Sequence, residues 1–93
     1  MAFYLYILRC SDDTYYTGLT RDIDKRTKAH NNGRASKYTS GRRPVELVYS
    51  ESYATRGLAA KREYEIKQWS RAKKQALIDG EMAGPKPSEK IDL

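Results

Sequence analysis

At 93 residues the chain has room for one domain and one modest core, near the lower end of what folds unaided. Its Lys and Arg outnumber Asp and Glu by 18 to 12, a net charge of +6, so an anionic partner is expected; nucleic acid fits best, because neutralised phosphates release counterions. A single cysteine, Cys10, excludes an internal disulfide framework and a cysteine-based zinc site, and the absence of a long apolar run excludes a membrane span, so a cytoplasmic setting is expected.

The run Phe3-Tyr4-Leu5-Tyr6-Ile7-Leu8 is too short for a helix and reads as a strand buried on both faces. Ser11-Asp12-Asp13-Thr14 is turn chemistry, and Tyr15-Tyr16-Thr17-Gly18-Leu19 reads as the returning strand of a hairpin. Thr20 or Asp22 can cap a helix from about Ile23 to Asn31, with Gly33 as its stop. Residues 32 to 43 read as a loop. Pro44 then opens a third strand, Val45-Glu46-Leu47-Val48-Tyr49, with Val45, Leu47 and Tyr49 expected on one face. Thr55 caps a longer helix to about Trp69, and Ser70 caps another from Arg71 to Asp79, ended by Gly80. The order β-β-α-β-α-α predicts an α+β domain over residues 1–82, a small three-stranded antiparallel sheet flanked by helices. Residues 83–93, which include Gly84-Pro85-Lys86-Pro87 and lack apolar periodicity, are expected to be a disordered tail.

Two places break the pattern of a structural core. Helical spacing puts Ile23, Arg26, Thr27 and His30 on one side of the first helix, where a sheet-packing helix normally carries an apolar stripe. Either Arg26 and His30 meet a polar site, or the helix is rotated and both are solvated. The hairpin is the second place. Tyr4, Tyr6, Tyr15 and Tyr16 crowd two short strands, and Gly18 lies inside one of them. An abundance of Tyr serves either edge packing or a polar site; a glycine within a strand marks a bend, or a close approach to the backbone by another group. Gly18 is therefore taken as a candidate substrate contact.

Here the residues resemble a family. Tyr4-Leu5-Tyr6 is similar to the first half, and Tyr16-Thr17-Gly18 to the second half, of the motif that names the GIY-YIG nuclease superfamily. Tyr4 and Leu5 stand where the name has Gly and Ile, and Thr17 replaces the second Ile. Arg26 and His30 match the arginine and polar residue of the following helix, and Glu63 matches the metal-binding glutamate. The similarity spans about residues 3 to 80 and looks closest to the small stand-alone, single-domain branch. Periodicity alone leaves Glu63 and Glu65 as alternatives bordering the apolar side of their helix; the resemblance selects Glu63.

The resemblance implies a metal-dependent DNA endonuclease, of use in DNA repair or recombination. Glu63 would hold one Mg²⁺ or Mn²⁺, with water and phosphate oxygens completing its shell. Arg26 would grip the scissile phosphate, and Tyr6 and Tyr16 would position or deprotonate the attacking water. The resemblance implies that Tyr16 is the base, with His30 in an assisting role, although His30, with an intrinsic pKa of about 6.5 against about 10 for a phenol, is the easier base on intrinsic grounds. Both tyrosines can act together only from one face of the hairpin, so an odd-length connection or a bulge is expected. Arg34, Lys37, Tyr38, Arg42 and Arg43 form a candidate phosphate track, extended by Lys61, Arg62, Lys67, Arg71, Lys73 and Lys74. A nucleic-acid-binding module of the same fold that cleaves nothing is the alternative, and a protein-interaction adaptor a third. A separate protein partner could supply specificity.

Overall fold

A computed structural model describes residues 2–81; the tail expected at 83–93, and the domain boundary expected at 82, lie outside the described residues. The chain forms β1 (Phe3–Arg9), β2 (Tyr15–Thr20), α1 (Ile23–Asn31), α2 (Lys37–Ser40), β3 (Glu46–Tyr53), α3 (Arg56–Lys67) and α4 (Arg71–Ile78). The strands make one antiparallel sheet in the order β2-β1-β3. This is the expected α+β architecture, with one helix more than predicted. Residues 37–40 turn once as α2, capped by the Ser36 hydroxyl, which accepts from the Tyr38 N–H. One turn is too short to leave a periodic signal.

The central position of β1 accounts for its unbroken apolar run. Leu5 and Ile7 face one layer, Tyr6 and Leu8 the other, and all four are at most 2% exposed. The first layer is the main core, where Leu5, Ile7 and Tyr53 of the sheet meet Ala59 and Ile66 of α3 and Leu77 of α4. The opposite layer holds Tyr6, Leu8, Cys10 and Val45, with Tyr16 against them. Helix starts follow side-chain caps: Asp22, rather than Thr20, accepts from Lys25 N–H at 3.0 Å, and Thr55 and Ser70 accept from Leu58 and Lys73.

The third strand departs from its predicted pattern. Ile7 pairs with Tyr49 but Leu8 with Leu47, so a bulge places Val48 as an extra residue between them. An inserted residue reverses the alternation beyond it. Val45 therefore belongs to the smaller layer and Tyr49 to the main core, while Leu47 is left 41% exposed; the three do not share a packed face.

Candidate active site

The hairpin register sets the two tyrosines. Arg9 pairs with Tyr15, which leaves residues 10–14 as the connection, an odd number as anticipated. Tyr6 lies opposite Gly18 and Leu8 opposite Tyr16, so Tyr6 and Tyr16 are diagonal neighbours on one face, their ring centroids 6.3 Å apart. A Cβ built on Gly18 would lie 2.5 Å from the Tyr6 hydroxyl. Gly18 is thus not a substrate contact, as the strand glycine had suggested, but the opening through which the Tyr6 phenol crosses β2.

From that opening the Tyr6 hydroxyl lies 2.8 Å from His30 Nε2, and His30 Nδ1 lies 2.7 Å from the Thr39 hydroxyl. His30 is 1% exposed and Thr39 fully buried. Of the two readings of α1, the polar site holds for His30, while Arg26 stays exposed at the rim. Thr39 went unnoticed in the sequence because a hydroxyl inside a basic loop carries no sign of burial. The Tyr16 ring centroid lies 4.9 Å from that of the imidazole and 5.9 Å from that of Tyr38, so an aromatic file leads from the buried histidine to the surface.

Burial, and then the nearby positive charge of Arg26, hold the His30 imidazole below its ordinary pKa. It is therefore neutral in the folded protein at neutral pH. The unfolded chain takes up a proton near pH 6.5 that the folded chain refuses, so this contribution is complete above that pH and lost on acidification. Unfolding free energy is expected to fall between pH 7.5 and 5.5, by at most about 1.4 kcal/mol per pH unit from this group. Denaturant titrations at the two pH values should show the drop shrinking in His30→Gln. An equal drop in both proteins would contradict the buried neutral imidazole.

Burial chiefly, then Tyr16, push the Tyr6 phenol up; Glu63 adds to the rise and Arg26 opposes it. These are electrostatic neighbours, so α1 and α3 bring Arg26 and Glu63 to the rim around the Tyr6 hydroxyl. Glu63 is half-buried and pairs with Lys67 at 3.2 Å one turn on, whereas Glu65 is exposed. Tyr16 and His30 thus lie against Tyr6, and Arg26 and Glu63 stand within electrostatic reach of its hydroxyl.

The expected phosphate track divides. Arg42 donates to Asp12 at 2.9 Å and to the Tyr38 carbonyl at 2.7 Å, with its guanidinium over the Tyr38 ring. Arg43 donates to the Ser40 and Asn31 carbonyls. Both clip the 32–43 segment to the domain, so part of each guanidinium is already engaged within the protein. Arg34 and Lys37 are exposed along a shallow groove, and Tyr38 is 38% exposed at the end of the aromatic file. On the helices, the half-buried Arg62 pairs with Glu51, Arg71 with Asp13, and Lys67 with Glu63. Composition cannot distinguish a paired arginine from an open one.

The match of this arrangement to a known catalytic module is direct: the model of the GIY-YIG catalytic domain fits residues 2–76, and the chain belongs to that family. Among its relatives are proteins known only as UPF0213. One from Staphylococcus saprophyticus is 56% identical over 75 residues, covering 81% of this chain and 92% of the relative. One from Haloquadratum walsbyi is 50% identical, covering 82% and 85%. A solution structure of a UPF0213 protein from Bacillus halodurans superposes with a TM-score of 0.57 at 42% identity, covering 96% of this chain and 92% of that one. A protein from E. faecalis gives 0.60 at 32% identity, with coverage of 92% and 93%. The family is one of nucleases, so the substrate class it brings is nucleic acid.

Proposed function

We propose that this protein is a DNA endonuclease that hydrolyses phosphodiester bonds with the aid of one divalent cation, Mg²⁺ or Mn²⁺, in a reducing cytoplasmic compartment and in the service of repair or recombination. The observation that carries the reading is the 2.8 Å contact between the Tyr6 hydroxyl and a buried, neutral His30, at a rim that holds both Arg26 and Glu63.

The hydrogen bonds favour one tautomer. Thr39 donates its proton to the Ser36 carbonyl at 3.3 Å, so its oxygen is free to accept from His30 Nδ1–H. Nε2 then carries a lone pair and accepts from the Tyr6 O–H. A water beside the phenol could pass a proton to the Tyr6 oxygen as Tyr6 passes its own to Nε2. A tyrosinate, which burial disfavours, never forms. In this reading the base is Tyr6 paired with His30, in place of Tyr16, the base that the resemblance implies; Tyr16 packs against the imidazole and lines the site. Arg26, charged at every relevant pH and offering a planar fork, holds the phosphate and meets the charge that develops on it.

Among the described residues no three His, Cys, Asp or Glu side chains gather into a metal cage. Glu63 alone still fits a hard cation that completes its shell with water and substrate phosphate, the habit of Mg²⁺. When bound, the cation supplies Lewis-acid stabilisation of the phosphate. Tight binding without DNA is not expected.

Nicking of supercoiled plasmid in Mg²⁺ or Mn²⁺ tests the assignment. Tyr6→Phe keeps the ring and removes the relay oxygen, and should slow nicking about a hundredfold, the lower range for loss of a general base. If Tyr6→Phe nicks as fast as wild type, the relay is wrong. If wild type binds DNA and cuts neither duplex nor branched substrates, the chain is the non-cleaving module instead.

A further inference from the structure

The arginines of this chain are not used alike. Arg9, Arg42, Arg62 and Arg71 each sit on a carboxylate. Arg21, Arg26, Arg34, Arg43 and Arg56 have no ion-pair partner among the described residues, and three of them, Arg21, Arg26 and Arg56, line a common groove. These three come from separate places: the turn after β2, the first turns of α1, and the first residue of α3. All three line one open groove of about 320 Å³, whose other walls are Phe3, Leu19 and Thr20. No acidic side chain lines it. Three arginines that line one groove with no acidic residue in its lining favour an anion bound there.

Two further features tie the groove to the site. Arg26 belongs to both, since its charge reaches Tyr6 and His30 as well as the groove. Arg56 and Glu63 are seven residues apart on α3, so they lie on the same side of the helix, about 10 Å apart along its axis. The Arg21 guanidinium lies over the Phe3 ring at 4.6 Å, an arrangement that holds the side chain in place while its N–H edge remains available for a bidentate phosphate contact.

We infer that Arg21 and Arg56, which line one groove with the site's Arg26, form a second phosphate subsite that holds the backbone of the substrate strand to one side of the cleaved bond. The inference rests on the nuclease reading for its register, but not for its measurement. Contacts there are to phosphate and sugar, so the groove adds affinity and sets strand direction without reading sequence.

The test is DNA binding without metal, in EDTA, followed by anisotropy of a labelled duplex over a salt series. Arg21 and Arg56 are exposed, as are Lys25 and Lys28 of α1, which lie outside the groove lining. The double variant R21Q/R56Q is compared with K25Q/K28Q, which loses the same charge; thermal melts of both check the fold. R21Q/R56Q should weaken binding at least tenfold on unrelated sequences and lower the slope of log affinity against log salt by roughly 2, about 0.9 for each lost phosphate contact. K25Q/K28Q should lower it by less than half as much. Equal losses in the two variants, or an unchanged slope in R21Q/R56Q, overturn the subsite even if the wild type cleaves. The predicted slopes in a protein that never cleaves would leave the subsite standing and remove the nuclease reading. A wild type that binds neither duplex nor single strand removes both.

Discussion

Replacing Glu63 with Ala is expected to reduce cleavage by about three orders of magnitude or more, while DNA binding stays as tight as in wild type or becomes slightly tighter. The size follows from the cation: Lewis-acid stabilisation is worth several kcal/mol, and each 1.36 kcal/mol is about tenfold in rate. The direction on binding follows from charge. Glu63 faces a site whose other charged rim group is Arg26, and removing the carboxylate also releases Lys67 from its 3.2 Å pair. Excess EDTA should have the same effect on the wild-type rate. Single-turnover cleavage and metal-free binding, measured on the same oligonucleotides, separate the two quantities. If Glu63→Ala keeps its rate and EDTA still abolishes it, the cation is held elsewhere. If binding and cleavage fall together, Glu63 acts on the fold and not on the metal.

The parts of this molecule that could be read from its residues are those governed by local rules. The β1–β2 hairpin, the bounds of α1 and the caps at Thr55 and Ser70 agree with propensity and periodicity, and the family motif located Tyr6 together with Tyr16 and His30, which the fold sets against it, and Arg26 and Glu63, which stand within its electrostatic reach. What escaped depends on contacts between distant segments. The bulge at Val48 leaves no trace in an apolar strand, since Val45, Leu47, Val48 and Tyr49 suit either alternation. Arg42 and Arg43 look unengaged until Asp12 and three backbone carbonyls are found holding them. Thr39 and Glu51 are ordinary polar residues in sequence, and only burial beside His30 and Arg62 gives each a role.

Arg62→Ala is expected to cost about 3–5 kcal/mol of stability, the range for breaking a buried ion pair from one side. Glu51 is 3% exposed, in the main-core layer of β3. It accepts from Arg62 Nε and Nη2 at 3.1 and 3.2 Å, from the Tyr53 hydroxyl at 2.6 Å and from the Tyr49 hydroxyl. Burial and the bond to Glu51 push both phenols up, so they remain protonated donors. Alanine at 62 would leave them to hold a buried carboxylate alone, in a domain whose total stability is about 5–15 kcal/mol. Replacing both charges by apolar side chains, as in Glu51→Leu with Arg62→Met, should recover most of the loss, because it removes the stranded charge as well as the pair. Thermal and denaturant melts read both proteins, and a single variant within about 1 kcal/mol of wild type would show the pair to be dispensable. The same bond has a consequence for the site. Arg62 ties α3 to β3, and its next residue, Glu63, projects about 100° further round the helix toward the Tyr6 rim. Arg62 is therefore a positioning residue: the apolar double variant, folded but without this tether, should bind DNA normally and need more Mg²⁺ to reach its full rate.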